Sequence, residues 1–226
     1  MKCVILAAGE GKRMHPLTYT RPKVMLPVVN RPVLELNLLK LIDADITEFI
    51  FVVGYKSEMV RNYFKDGSKW NVNQGKPIGT GHAVQIVESF IDSDFIVLCG
   101  DTVFSKKDIK KIVSKKNSMG LFKVERPENY GVVKTDKDKV IKIYEKMKEP
   151  FSDMINAGIY HFDKKIFEFL KKVKKSPRGE YELTDAINLM AKDISIESIK
   201  LDYWKDLVYP WDLFDLNEEY LKKNKK

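Results

Sequence analysis

Arg13 and Lys23 stand just behind two glycines, Gly9 and Gly11, where a short apolar run from Cys3 to Leu6 gives way to small residues. That pattern reads as a strand emptying into a loop, and glycines there let consecutive N–H groups converge on one anion. Arg13 adds a forked donor and Lys23 a compact charge, so the stretch from Leu6 to Pro27 suits phosphate. It is not a P-loop: the second glycine comes too early and no Ser or Thr follows Lys12. Nor is it the dinucleotide fingerprint, whose third glycine is replaced by Met14. A second chemical feature is Asp101, which follows the fully apolar run Phe95 to Cys99. A carboxylate at that point is costly unless it is solvated or bound to a cation.

The elements that must position these groups alternate along the chain. Helices are predicted from Pro32 to Leu39, from Ser57 as N-cap to Phe64, from Gly79-Thr80-Gly81 to Val87, and from Lys106 behind a Ser105 cap, with Asp108 approximating a capping box. Further helices follow Asp163 and cover Leu183–Ala191 and Asp212–Leu221. Strands are predicted at Glu48–Val53, Phe95–Cys99, Met119–Val124 and Ile155–Phe162, and a hairpin at Gly131–Thr135 and Val140–Glu145. The class is α/β: a mostly parallel mixed sheet with helices on both faces and an antiparallel insertion. Ligands of such sheets sit outside the carboxyl ends of the strands, where Gly9 and Asp101 both fall.

The whole string from Leu6 through Ala8, Gly9, Gly11, Arg13, Met14, Pro16 and Thr18, then Pro22-Lys23 and Pro27, resembles the signature of the sugar-1-phosphate nucleotidylyltransferases. The likeness is to glucose-1-phosphate thymidylyl- and uridylyltransferases of archaeal type. It implies a Rossmann-like three-layer fold of the nucleotide-diphospho-sugar transferase kind. Gln74, Pro77, Gly79 and Thr80 match the family motif that cradles the base. A glutamine amide, with one acceptor and two donors, can pair with N3–H and O4 of uracil or thymine, which points to UTP or dTTP. Leu6, Ala8, Gly9 and Gly11 would complete the nucleotide site, and Arg13, Lys23 and Asp101 the catalytic set. Asp101 and Asp206, the latter in a Trp-x-Asp motif, would hold Mg²⁺. Gly131, Glu145 and Asn156 match the sugar-side motifs, with Glu180 as a further sugar contact and Lys146 on the sugar's phosphate.

The implied reaction moves a nucleotidyl group onto a sugar-1-phosphate and releases pyrophosphate, with glucose-1-phosphate the first choice and N-acetylglucosamine-1-phosphate the second. Two rivals stand beside it. A cytidylyltransferase for inositol or choline phosphate is opposed by Gln74 and by Asn156-Ala157-Gly158, and a non-catalytic regulatory subunit by the joint presence of Arg13, Lys23 and Asp101. The chain departs from the family at Met147, usually proline, and at Val208, often glycine. The segment between Phe64 and Gln74 reads as too short for the further strand relatives carry there. No hexapeptide repeat of a C-terminal β-helix precedes Lys226, so residues 1–226 read as a single nucleotidyltransferase domain. Relatives often form dimers or larger rings, which leaves a homo-oligomer open.

A net charge of +8 suits polyanionic ligands. The basic clusters, Lys171 to Lys175 and Lys222 to Lys226, fall on a helix end and a chain end without interleaved aromatics, so nucleic acid is not expected as a partner. With no signal-like or membrane-length apolar segment, the expectation is a cytoplasmic protein without membrane contact. Cys3 and Cys99 are expected as buried thiols, His15, His82 and His161 as bystanders, and Trp204 and Trp211 as packing residues. The excess of lysine over arginine and the presence of only two glutamines lean toward a thermophilic source.

Overall fold

The structure is a computed structural model, and it describes residues 1–65 and 70–223. In chain order its first half comprises β1 (Lys2–Ala7), the short pair β2 (Pro27–Val28) and β3 (Arg31–Pro32), α1 (Val33–Ile42), β4 (Glu48–Val53), α2 (Ser57–Tyr63), β5 (Trp70–Asn73), α3 (Thr80–Gln85), β6 (Phe95–Cys99) and β7 (Thr102–Phe104). Then come α4 (Lys106–Val113), β8 (Ser118–Lys123), β9 (Gly131–Asp136), β10 (Lys139–Glu145), β11 (Met154–Phe162), α5 (Ile166–Leu170), α6 (Leu183–Met190), β12 (Glu197–Lys200), β13 (Trp204–Asp206) and α7 (Pro210–Lys223).

Alternation inside the apolar runs decides how the layers form. Val4, Ile50, Val52, Phe95 and Val97 belong to one core, while Cys3, Ile5, Ala7, Phe49, Phe51, Val53, Ile96 and Leu98 belong to the other. Each strand is thus buried on both faces and must be covered twice. Helices α3, α5 and α6 supply Val84, Phe167 and Ile187 to the first core, and α1, α2 and α4 supply Leu34, Leu38, Val60 and Ile109 to the second. The result is a Rossmann-like three-layer α/β fold around a nine-stranded sheet of order β5-β4-β1-β6-β11-β8-β12-β10-β9. Strands β5, β4, β1 and β6 run parallel, and β11 enters antiparallel to β6. Phe95 stacks on Phe167 at 5.5 Å between centroids. Truncating either ring to alanine would cost about 3–5 kcal/mol.

Some local expectations change. The segment between Phe64 and Gln74, which reads as too short for a further strand, carries one: β5 pairs in parallel with β4, Ile50 opposite Trp70 and Val53 opposite Asn73. Helix α2 begins at Ser57 itself, behind Lys56 in the left-handed region (φ 47°), and no side chain caps it. The Ser57 N–H is already committed to the Gly54 carbonyl at 3.2 Å, so the chain turns into the helix one residue early. Trp204 is buried and stacks on Phe122, as expected of a packing residue. Trp211 is not: it is 61% exposed and stacks on Tyr209, because α7 turns Leu213, Leu216 and Tyr220 inward at helical spacing. Cys3 and Cys99 are free thiols on neighbouring strands, three residues out of register. Among the described residues no helix is long and apolar enough to cross a membrane.

Candidate active site

The carboxyl ends of β1 and β6 open onto two adjoining cavities. One, about 310 Å³, is lined by Arg13, Lys23, Asp101, Glu145, Asn156 and Asp206 among others. The second, about 260 Å³, is lined by Ala8, Gly9, Gln74, Pro77, Gly79 and Ala83. Leu6, Thr80, Cys99, Asp101 and Glu180 belong to both, so the two form one site with a shared wall.

The loop after β1 is held by its own backbone. Gly11 takes a left-handed conformation (φ 69°), and its carbonyl receives the Met14 N–H at 2.9 Å and the Thr18 hydroxyl at 3.0 Å. A Cβ on Gly11 would stand 3.0 Å from Cβ of Lys23, so this glycine lets the second half of the signature fold back on the first. Gly11 therefore shapes the loop and lines neither cavity. Arg13 is exposed at the mouth, its guanidinium 5.7 Å above the Tyr209 ring.

Lys23 and Asp101 form an ion pair with side chains 15% and 31% exposed. Lys23 also donates to the Leu207 carbonyl at 2.8 Å, just beyond Asp206. Asp206 accepts from the Tyr130 hydroxyl at 3.3 Å. Burial and the neighbouring charges of Asp101 and Asp212 raise its carboxyl from 3.8 to about 7, against the pull of Lys23 and the Tyr130 hydrogen bond. Two hard oxygen donors that repel each other across a polar cavity fit a divalent cation such as Mg²⁺. Among the described residues no group of three or more His, Cys, Asp or Glu is placed to hold a metal.

In the cavity lined by Gly9 and Pro77, Gln74 is buried at the end of β5. Its Nε2 donates to the Gly79 carbonyl at 2.9 Å and lies 3.3 Å from Nδ1 of His82. The bond to Gly79 commits one amide donor of Gln74 within the protein. His82 is thus a direct neighbour of Gln74. Gly79 has φ 115°, and a Cβ there would come within 2.3 Å of the Tyr181 carbonyl, because residues 181–183 lie directly over this turn. The Thr80 hydroxyl accepts from the Leu183 N–H at 3.1 Å at the start of α6.

In the other cavity a register shift between Asn156 and Tyr160 breaks the β11–β8 ladder, as a bulge does, where Asn156 meets the lining. Its amide donates to the Tyr160 hydroxyl at 2.8 Å, and its oxygen accepts the Gly158 N–H at 3.1 Å. Glu145 pairs across the hairpin with Gly131, and its carboxylate lies where a Cβ of Gly131 would sit, at 3.1 Å. Gly131 thereby makes room for Glu145. Burial raises the Glu145 carboxyl against a hydrogen bond from Thr184 and the charge of Arg178, whose guanidinium is 3.9 Å away. Lys146 does not join this group: with φ 48° it lines a third cavity of about 820 Å³, which meets the site only at Glu145, Arg178 and Glu182. Tyr130, Tyr160 and Arg178 also line the cavity that Asn156 meets; each lies within one of the motif strings, which gave it no role of its own.

The sequence profile described as nucleotidyl transferase matches residues 2–223. Over 226 residues the chain is 40% identical to the bifunctional protein GlmU of Methanocaldococcus jannaschii, covering 99% of this chain and 55% of that protein. It is also 40% identical to a bifunctional sugar-1-phosphate nucleotidylyltransferase/acetyltransferase of Sulfurisphaera tokodaii, over 96% of this chain and 55% of that one. The chain thus spans about half the length of these relatives. Among solved structures, a glucose-1-phosphate thymidylyltransferase assignment from Bacillus anthracis, in complex with sucrose, superposes with a TM-score of 0.86 at 31% identity, covering 97% of this chain and 94% of that one. A UDP-glucose pyrophosphorylase bound to UDP-glucose shares the fold, with a TM-score of 0.85 at 24% identity and 98% of both chains covered. The chain belongs to the nucleotidyl transferase family, with sugar-1-phosphate nucleotidylyltransferases among its relatives.

Proposed function

We propose that this chain transfers a nucleotidyl group from UTP or dTTP to a sugar-1-phosphate, glucose-1-phosphate first and N-acetylglucosamine-1-phosphate second, with release of pyrophosphate. The observation that carries the reading is the wall shared by the two cavities: Asp101, paired to Lys23, stands between a pocket lined by Gln74 and a pocket lined by Asn156 and Glu145. A nucleotide in the first and a sugar phosphate in the second would meet at that carboxylate. The relative named as a sugar-1-phosphate nucleotidylyltransferase and the structure named for glucose-1-phosphate support the acceptor class.

The acceptor phosphate needs no protein base, since a monoester's second pKa of about 6 leaves it largely ionised near neutrality. The chain's task is to align two anions and neutralise them. Lys23 would hold the reacting phosphates, and Arg13, at the mouth, the leaving pyrophosphate. Asp101 and Asp206 would hold Mg²⁺, which when bound supplies charge neutralisation and Lewis-acid polarisation at the phosphorus. Oε1 of Gln74, whose Nε2 is held on the Gly79 carbonyl, would accept N3–H of uracil or thymine, whereas cytosine has no hydrogen at that atom. Glu145, Asn156 and Glu180 would take sugar hydroxyls.

A pyrophosphate-release screen tests this directly, with each common nucleoside triphosphate against the 1-phosphates of glucose, N-acetylglucosamine and mannose. Turnover confined to UTP or dTTP with a sugar phosphate is expected. Turnover with CTP and choline or inositol phosphate would replace the reading, and folded protein inert toward every pair would favour a regulatory subunit.

A further inference from the structure

Asp108 is a fully buried carboxylate that lines none of these cavities, and each of its oxygens receives two donors. Oδ1 accepts from Lys111 Nζ and from the Asp202 N–H, both at 2.9 Å. Oδ2 accepts from the Ser105 hydroxyl at 2.6 Å and the Tyr203 N–H at 2.9 Å. Ser105 and Lys111 are local, and a helix cap would need nothing more. The two amides come from the far end of the chain.

Asp202 and Tyr203 lead straight into β13, which has three residues and among the described residues pairs only with β7: Trp204 opposite Phe104, Lys205 opposite Val103, Asp206 opposite Thr102. So short a two-stranded ribbon has little register preference of its own. A slip of one residue would turn Asp206 onto the opposite face. The ribbon is pinned at one end by the Leu207 N–H on the Asp101 carbonyl at 3.0 Å, and the indole of its first residue, Trp204, donates from Nε1 to the Ala157 carbonyl at 2.9 Å. Asp108 pins the other end, and it does so from the helix that continues β7.

We propose that Asp108 is a positioning residue for the metal-holding pair: by clamping the Asp202 and Tyr203 amides to the start of α4, it sets the register of β13 on β7 and so brings Asp206 to Asp101. The inference rests on the reading of Asp101 and Asp206 as cation ligands. An asparagine at 108 keeps the volume but exchanges one acceptor oxygen for a donor, so Asp108→Asn releases one of the two amides and opens the clamp on that side without opening a cavity. Ser105→Ala removes the local cap and leaves both amides held.

The test is a Mn²⁺ titration followed by electron paramagnetic resonance, with UTP present and no sugar phosphate, on the wild type and on Asp108→Asn, Ser105→Ala and Asp206→Asn. Moving Asp206 off Asp101 is expected to weaken Mn²⁺ binding about ten-fold or more in Asp108→Asn, the scale of losing a group that orients a metal ligand, with Ser105→Ala near wild type. Folded Asp108→Asn that binds Mn²⁺ like the wild type overturns the clamp. Wild type and Asp206→Asn binding alike would instead overturn the ligand assignment beneath it. Should Asp108→Asn fail to fold, hydrogen exchange in the wild type decides: the Asp202 and Tyr203 amides are expected to exchange as slowly as core strands, and fast exchange there removes the clamp.

Discussion

Lys23 lies on the carboxylate of Asp101 and donates to the Leu207 carbonyl at 2.8 Å, so one side chain joins the loop after β1, the end of β6 and the segment following β13. Three remote parts of the chain meet on that ammonium. Its charge also opposes the repulsion between Asp101 and Asp206.

Lys23→Met is therefore expected to do two things. Turnover should fall on the order of 10²-fold or more, the usual scale for losing one preorganised charge at a reacting phosphate. The metal-free protein should also melt lower, and the deficit should be larger at pH 8 than at pH 5, where the Asp206 proton relieves the repulsion. Steady-state kinetics and melts at the two pH values check both, and a deficit independent of pH would separate Lys23 from the carboxylate pair.

Asp206 makes a pH prediction whose sign follows from linkage. Its carboxyl is raised from 3.8 to about 7 in the fold, so between those values the folded state holds a proton that the unfolded chain has released. Stability of the metal-free protein must then fall as pH rises across that window and level off above it. Asp206→Asn should flatten this slope and melt higher than the wild type above pH 7. Asp108 acts in the opposite sense: burial raises its carboxyl, but hydrogen bonds from Ser105, the Asp202 amide, Lys111 and the Tyr203 amide leave it below its ordinary value, so it contributes stability that is lost as acid protonates it. Melts of wild type and both asparagine variants from pH 3 to 8 resolve the two.

Gln74→Ala should lower kcat/KM for UTP or dTTP by about ten-fold, in line with roughly 1–1.5 kcal/mol for one hydrogen bond. The KM for the sugar phosphate should stay unchanged, because Gln74 lines only the cavity on the nucleotide side. Gln74→Glu should do worse, since a carboxylate facing the Gly79 carbonyl at 2.9 Å has nothing to donate. A rise in the sugar KM equal to that for the nucleotide would mean that the two cavities are not separate subsites.

Most of the rim was legible because its residues occupy short strings in which chemistry restricts each position. Gly11, Lys23 and Asp101 are of that kind. What escaped depends on partners distant in sequence. Strand β12 has one apolar residue, Ile199, and exists because it pairs in parallel with β8, Glu197 opposite Ser118. Asp108 reads as a helix cap, since Ser105 lies three residues before it, and the Asp202 and Tyr203 amides it also binds leave no local trace. Lys146 follows the family string, yet a left-handed φ of 48° places it on the neighbouring cavity.

The two loop glycines should fail for different reasons. A methyl group on Gly9 meets nothing within 4 Å and its φ lies outside the left-handed region, so Gly9→Ala should fold with unchanged stability. That methyl would project into the space where a bound phosphate approaches the backbone, and affinity for the nucleotide should drop at least ten-fold, the loss of about 1.4 kcal/mol. Gly11→Ala places a side chain at φ 69° and 3.0 Å from Cβ of Lys23. It should destabilise the fold by about 1–2 kcal/mol for the left-handed conformation alone, and displace Lys23 from Asp101. Thermal melts alongside nucleotide titrations separate the outcomes. If Gly9→Ala bound UTP normally, the loop after β1 would not lie against the triphosphate.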